Sequence, residues 1–171
     1  MFKYFAILLI FFSCTMIGFF QSSQLSRRRI LLTQYRDFVQ KFETEMGYFK
    51  EPLPLMLQKI HTESNEPVDI LLRHCMIKLD TVKDSMEGIW KDAVVSAYEN
   101  EPLKPYDLEL FAKCGTFIGQ SGYQGQQGHF SLLKDELSRQ IEEAERQLKI
   151  KGPLYSKAGL SIGAVLAIAL L

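Results

Sequence analysis

Two apolar segments bracket this chain and limit what it can become. Residues 4–20 carry no charge, and Ser13, Cys14, Thr15 and Gly18 are the small or polar residues in the run. Residues 158–171 carry no charge and one hydroxyl, Ser161. A membrane-spanning helix needs roughly 20 apolar residues, with about 17 as the lower limit. The first segment meets that limit. The second is short, but Leu154 and Tyr155 extend it, with Lys157 snorkelling to the surface. The expected organisation is an N-terminal transmembrane helix over 1–20, a polar domain over 21–157 and a C-terminal transmembrane helix over 158–171.

The N-terminus also fits a signal peptide in outline, with one Lys, an apolar run and then polar residues. No small-x-small site lies near Gln21, which counts against ordinary cleavage. Ser13-Cys14 is half of a lipoprotein cleavage box, and the preceding Phe11 and Phe12 match that box poorly.

Of 20 basic and 20 acidic residues, only Lys3 lies outside 21–157, so the middle carries 19 bases against 20 acids, a net of −1. That balance offers no footprint for nucleic acid. Charge does set the expected orientation. Arg27, Arg28 and Arg29 follow the first segment, and Lys149, Lys151 and Lys157 lead into the second. By the positive-inside rule both flanks place the middle domain in the cytoplasm, with the chain an antiparallel membrane hairpin carrying a large insert. Gly159 and Gly163 form a small-xxx-small pair suited to close helix packing; small residues are also simply common in membrane helices, and the sequence favours neither reading.

Helical periodicity dominates the middle. Leu31, Tyr35, Phe38, Phe42, Met46 and Phe49 line one face of a helix over about residues 26–48, with Arg36, Asp37, Lys41 and Glu43 opposite. Pro52 and Pro54 suit the first turn of a short helix with Leu55, Met56 and Ile60 inside, and a turn follows over 61–65. Glu66-Pro67 opens a helix with Val68, Leu71, Leu72, Cys75 and Leu79 inward. Ser85 N-caps another, with Ile89, Trp90, Ala93, Val94 and Ala97 inward. Pro105 starts one holding Leu108, Leu110, Phe111 and Cys114. The Gly- and Gln-rich stretch 115–128 reads mostly as a loop, with Phe117 and Ile118 at the end of the preceding helix. Leu133, Leu137, Ile141, Ala144 and Leu148 mark a long amphipathic helix that Gly152-Pro153 is expected to end. No stretch alternates like a strand. The fold class is all-α, an antiparallel helical bundle with transmembrane helices at both ends.

Catalytic patterns are missing. The Gly-rich stretch has no Gly-Lys-Ser/Thr ending and no preceding strand. Gly119-Gln120-Ser121-Gly122 falls one residue short of a nucleophile elbow. His61, His74 and His129 are dispersed, and Cys14, Cys75 and Cys114 make neither a disulfide framework nor a zinc set. Glu43 and Glu45 do not share a helix face. The reading is non-enzymatic, with no cofactor and no metal.

The motifs in combination are distinctive. Phe42-Glu43-Thr44-Glu45-Met46-Gly47-Tyr48 is followed by Pro52-Leu53; then come Leu103, Asp107-Leu108-Glu109-Leu110-Phe111, Gly115-Thr116-Phe117-Ile118-Gly119-Gln120-Ser121, Gln127 and His129. A charged helix then leads through Leu154-Tyr155 into an apolar tail. Over nearly its whole length the chain resembles the stage III sporulation protein AB family of endospore-forming Firmicutes. One departure is Gly122, where the family usually has an Asp after the Ser.

The resemblance implies a platform or scaffold in the channel between mother cell and forespore, similar to the inner-membrane platforms of type II secretion and type IV pilus machines. It implies other sporulation channel proteins and a secretion-type ATPase as partners, and a place in the outer forespore membrane facing the mother cell. Candidate contacts are Arg36 and Glu43 on the first helix and Gly115, Gly119, Gln120, Ser121 and Gln127 at the Gly-rich junction. Packing and turn geometry account for the same residues without a partner. Apolar helix faces also serve homo-oligomers. An alternative is a membrane-anchored regulatory adaptor unrelated to secretion.

Overall fold

The computed structural model describes residues 2–48, 52–81, 85–118 and 123–170. Among them the regular secondary structure is all helix: α1 (Phe2–Tyr48), α2 (Leu53–His61), α3 (Val68–Thr81), α4 (Met86–Tyr98), α5 (Pro105–Ile118) and α6 (Tyr123–Leu170). They pack as two compact units, Met1–Arg29 with Glu142–Leu171 and Ile30–Ile141. The long helices α1 and α6 each contribute to both.

The bundle unit, Ile30–Ile141, follows the expected periodicity closely. Leu31, Leu32, Tyr35, Phe38, Val39 and Phe42 are buried along α1, and Phe130, Leu133 and Leu137 along α6. α2 packs on α3, α3 on α4, and α4 on α5. Cross-links fix the antiparallel sense of α3 and α4: Lys78 reaches Asp92 at 2.6 Å, and His74 Nε2 lies 3.4 Å from Ser96 Oγ. Ser85 N-caps α4 as expected, its Oγ accepting from the Gly88 N–H at 3.2 Å. Pro105 opens α5, and Asp107 reaches back to accept the Lys104 N–H at 2.9 Å, half of a capping box.

Burying four aromatic rings at the centre requires homes for their polar tips. Tyr35 stacks on Phe111 with centroids 3.8 Å apart, and Phe38 stacks on Trp90 at 5.9 Å. The Phe111 carbonyl accepts both the Tyr35 hydroxyl at 2.7 Å and the Trp90 indole N–H at 3.0 Å. Gly115 makes that approach possible. A Cβ there would stand 2.5 Å from the Trp90 Cβ. The absence of one side chain thus lets the indole lie on the α5 backbone, and one carbonyl ties α1 and α4 to α5.

The hairpin unit is built differently. A Cβ on Gly18 would stand 2.5 Å from the Tyr155 carbonyl oxygen and 3.1 Å from the Gly159 Cα. A Cβ on Gly159 would meet the Cys14 carbonyl oxygen at 2.8 Å, and one on Gly163 the Phe11 carbonyl oxygen at 3.2 Å. Further along, Gly152 faces Ser22 and Arg29 pairs with Glu145 at 3.3 Å. As numbers rise on α1 they fall on α6, so the two segments run antiparallel with backbones in contact. The glycine pair of α6 meets a third glycine on α1. Large side chains point away: Phe5 is 67% exposed, Phe12 66%, Phe19 70% and Ile168 77%.

Four local expectations are corrected. First, α1 does not begin near Ser26; it is continuous from Phe2, because 21–25 contain no Gly or Pro to break it. Second, Gly152-Pro153 does not end α6. Pro153 removes one backbone bond at about 3 kcal/mol. Contacts with α1 on both sides of it, at Gly152 and at Tyr155, keep the helix running. Third, the Gly-rich loop shrinks: α5 reaches Ile118, α6 begins at Tyr123, and 119–122 lie outside the described residues. Stacking of His129 on Phe117, with centroids 4.8 Å apart, and an edge contact between Phe117 and Phe130 hold the two ends, offsetting the poor helix propensity of glycine. Fourth, Leu55 is 55% exposed, and Met56, Leu57 and Ile60 carry the buried face of α2. Phe49 of the expected α1 stripe lies outside the described residues.

Candidate functional site

The sequence candidates separate once placed. Arg36 is half-exposed on α1 and donates to Asp37 Oδ1 at 3.1 Å. Glu43 faces α6, where it binds the Lys134 ammonium with its side chain 12% exposed; Lys134 also donates to Gln40 at 3.2 Å. Arg36 is thus open to solvent, and Glu43 is engaged inside the bundle. Gly115 is buried beneath Trp90 and touches no surface. Gly119, Gln120 and Ser121 lie outside the described residues, as does Gly122. Gln127 falls in the first turns of α6.

The topology residues cluster in the hairpin unit. Arg27 is exposed, Arg28 is buried at 4% exposure and Arg29 is paired with Glu145. Lys149, Lys151 and Lys157 are exposed on α6.

Chemically, the interior is quiet. Cys75 and Cys114 are fully buried, and burial pushes both thiols up to about 12, far from nucleophilic use. Burial first, then the neighbouring Cys114 and Tyr98, holds the Tyr35 hydroxyl well above its ordinary value. On the surface, Lys41 beside Glu63 and Lys78 beside Asp92 hold those carboxyls below the usual range, while Glu136 raises Tyr106. Among the described residues no three His, Cys, Asp or Glu side chains gather as a metal set.

Concavities mark the bundle surface among the described residues. One, of about 190 Å³, lies beside α1 and is lined by Gln34, Asp37, Lys41, Glu63 and Asn65 among others. It is below the size of ordinary small-molecule sites, about 300 Å³ or more. Another, of about 340 Å³, is a groove between α4 and α5. Val94, Val95, Leu108 and Ala112 form its floor; Glu87, Lys91, Glu109 and Lys113 form its rim. Sequence reasoning missed this groove. Its one signal was Val95, an apolar residue beside Val94 and outside the 3.6-residue stripe, 50% exposed in the fold.

The two units carry opposite net charge. The hairpin unit holds eight Lys and Arg against three Asp and Glu, a net of +5. The bundle unit holds twelve against seventeen, a net of −5.

The arrangement has relatives. The family model described as stage III sporulation protein AB matches residues 3–171. Stage III sporulation protein AB of Bacillus subtilis (strain 168) is 24% identical over 157 residues, covering 92% of each chain. A solved structure of a stage III sporulation protein AB superposes with a TM-score of 0.65 at 25% identity, covering 71% of this chain and 96% of that one. Matched from end to end in sequence, and in fold over most of its length, this chain belongs to the stage III sporulation protein AB family.

Proposed function

We propose that this protein is a non-enzymatic platform of the channel between mother cell and forespore. The paired apolar helices anchor it in the outer forespore membrane, and the bundle stands in the mother-cell cytoplasm. There it is presented to a secretion-type ATPase, with other channel proteins contacting the membrane helices. The observation that carries this reading is the hairpin unit. Its apolar side chains are exposed, and it coheres through glycine backbone contacts rather than an apolar core. Exposed apolar side chains are costly in water and neutral in lipid. An uncleaved N-terminal segment is part of the reading, since Gly18 fits against Gly159.

Two features support presentation to a partner. The bundle's net −5 is repelled by an anionic leaflet, which favours a bundle held in solvent. The α4–α5 groove offers an apolar floor with a mixed-charge rim. An ATPase surface docking on this bundle would carry complementary positive charge, and its binding would weaken as salt rises.

Protease added to intact protoplasts and to inverted membrane vesicles tests the topology. Cleavage of the bundle only in inverted vesicles is expected. Cleavage in intact protoplasts overturns the platform reading, because no cytoplasmic ATPase would then reach the bundle. Co-purification of the full-length protein with the cognate ATPase in mild detergent tests the partner, and loss of that complex on Val95→Glu is the expected outcome.

A further inference from the structure

We propose that the basic end of the hairpin unit binds anionic phospholipid headgroups in the leaflet on the bundle's side, retaining acidic lipid around the anchor. The inference rests on the membrane reading above and adds the lipid class that the anchor selects.

The charge placement carries the argument. Residues 1–36 contain no Asp or Glu, and neither do residues 146–171. The three acids of the unit, Glu142, Glu143 and Glu145, lie together beyond the basic belt. Glu145 takes Arg29 and Glu143 takes Gln147 at 2.8 Å. Lys149, Lys151 and Lys157 therefore stand in a stretch of helix without acids, and all three are exposed.

From Lys149 to Lys157 the helix rises about 12 Å along its axis in eight steps. One headgroup layer is roughly 5–8 Å thick, so Lys157 stands at its acyl boundary and Lys149 at its outer edge, with long flexible side chains that reach the phosphates between. Exposed aromatic side chains mark the same level: Gly18 lies against the Tyr155 backbone, so Phe19 and Phe20 on α1 stand beside Tyr155 on α6. Phe20 is 59% exposed and Tyr155 39%. An aromatic girdle edged by Lys151 and Lys157, with no carboxylate in residues 146–171, suits phosphate on one side and acyl chain on the other. Arg146 and Lys149 also line a shallow concavity with Glu142, Glu145 and Ile150. The arginine and lysine there extend the belt along the same face of α6 that bears Lys157, at spacings of three and eleven residues from Arg146.

The test uses the purified full-length protein in neutral detergent, titrated with fluorescent phosphatidylglycerol and, in parallel, with phosphatidylcholine carrying the same label. Phosphatidylglycerol is expected to bind at least tenfold more tightly. The combined variant Lys149→Gln, Lys151→Gln, Lys157→Gln is expected to lose that tenfold preference, while the matching three Lys→Arg changes retain it. Arg27, Arg28 and Arg29 are kept in both variants to hold the orientation. Equal binding of the two lipids, or an unchanged preference in the Gln variant, overturns the proposal. Carbonate extraction of cell membranes separates this from the anchoring: a wild-type protein that resists carbonate but shows no lipid preference overturns only the lipid inference, and one released by carbonate overturns the membrane reading itself.

Discussion

The two units solve opposite packing problems with the same secondary structure. In the bundle unit the large side chains turn inward, with Trp90, Tyr35, Tyr98, Phe42, Phe111 and Phe130 all fully buried. In the hairpin unit they turn outward, and the smallest residues form the contact. Water rewards burial of apolar area at roughly 25 cal/mol per Å². Lipid gives no such reward, so helices there associate through close approach of backbones. Each unit is arranged as its proposed solvent demands, although α1 and α6 pass through both. The difference teaches that helix periodicity alone does not tell which side of a helix faces a partner. Residue size on each side, together with the solvent, decides it.

Breaking the bundle has the largest expected effect. Trp90→Ala removes the indole that packs on Gly115 and donates to the Phe111 carbonyl, and should cost about 3–5 kcal/mol. Urea unfolding followed by circular dichroism checks it. The hairpin contact should survive that change. Next comes Gly115→Ala, whose methyl would press on the rigid Trp90 Cβ and should destabilise by about 1–3 kcal/mol in the same measurement.

The hairpin side of the comparison is sharpened by Gly163→Cys. A Cβ at that position stands 3.4 Å from the Cys14 Cβ, close to the separation that a disulfide requires. Mild oxidation should therefore join the two ends, so that fragments cut at the α1–α2 connection remain linked until reduced. Absence of the cross-link would mean that the segments are not paired in this register. Gly18→Leu should reduce cross-linking severalfold and leave bundle unfolding unchanged.

A further way to sharpen the comparison is the pH dependence of the bundle. The Cys75 and Cys114 thiols lose protons in the unfolded chain near pH 9 and in the bundle near pH 12. Their folded values are raised, so the stability they contribute is fully present below pH 9 and falls as pH rises toward 12. Tyr35 adds to the loss at the alkaline end. Cys114→Ala should flatten that decline, read as a smaller drop in melting temperature between pH 8 and pH 11. At acid pH, Glu63 and Asp92 contribute in the opposite sense, since their lowered values mean stability is lost as pH falls through them. Both are exposed, and the change should be slight.

Much of this was legible in the chain. The stripe Leu31, Tyr35, Phe38 and Phe42 specified which face of α1 is core, and Ser85 and Pro105 marked helix starts by well-understood backbone chemistry. Helix ends were read less well. Gly152-Pro153 is a strong local stop signal, yet contacts from α1, more than a hundred residues away in sequence, override it. The Gly-rich stretch read as a loop because glycine disfavours helix, and the pairing of His129 with Phe117 that opposes this is a tertiary contact. Among the site candidates, Gly115 reads in sequence as a junction residue. Its contact with Trp90 depends on how α4 crosses α5, which no spacing encodes. The +5 and −5 division was invisible for a similar reason: residues 21–29 and 142–157 were grouped with the middle of the chain, and only the folded contacts assign them to the hairpin.

The shared carbonyl of Phe111 has a practical side. Trp90 is the sole tryptophan of the chain, and its indole N–H is held in a dry ring cluster. Its fluorescence is therefore a built-in optical probe of the α1–α4–α5 crossing. The emission should lie to the blue while the carbonyl holds the indole and shift to the red when it lets go, so assembly of the bundle can be followed in the purified protein without attaching a dye.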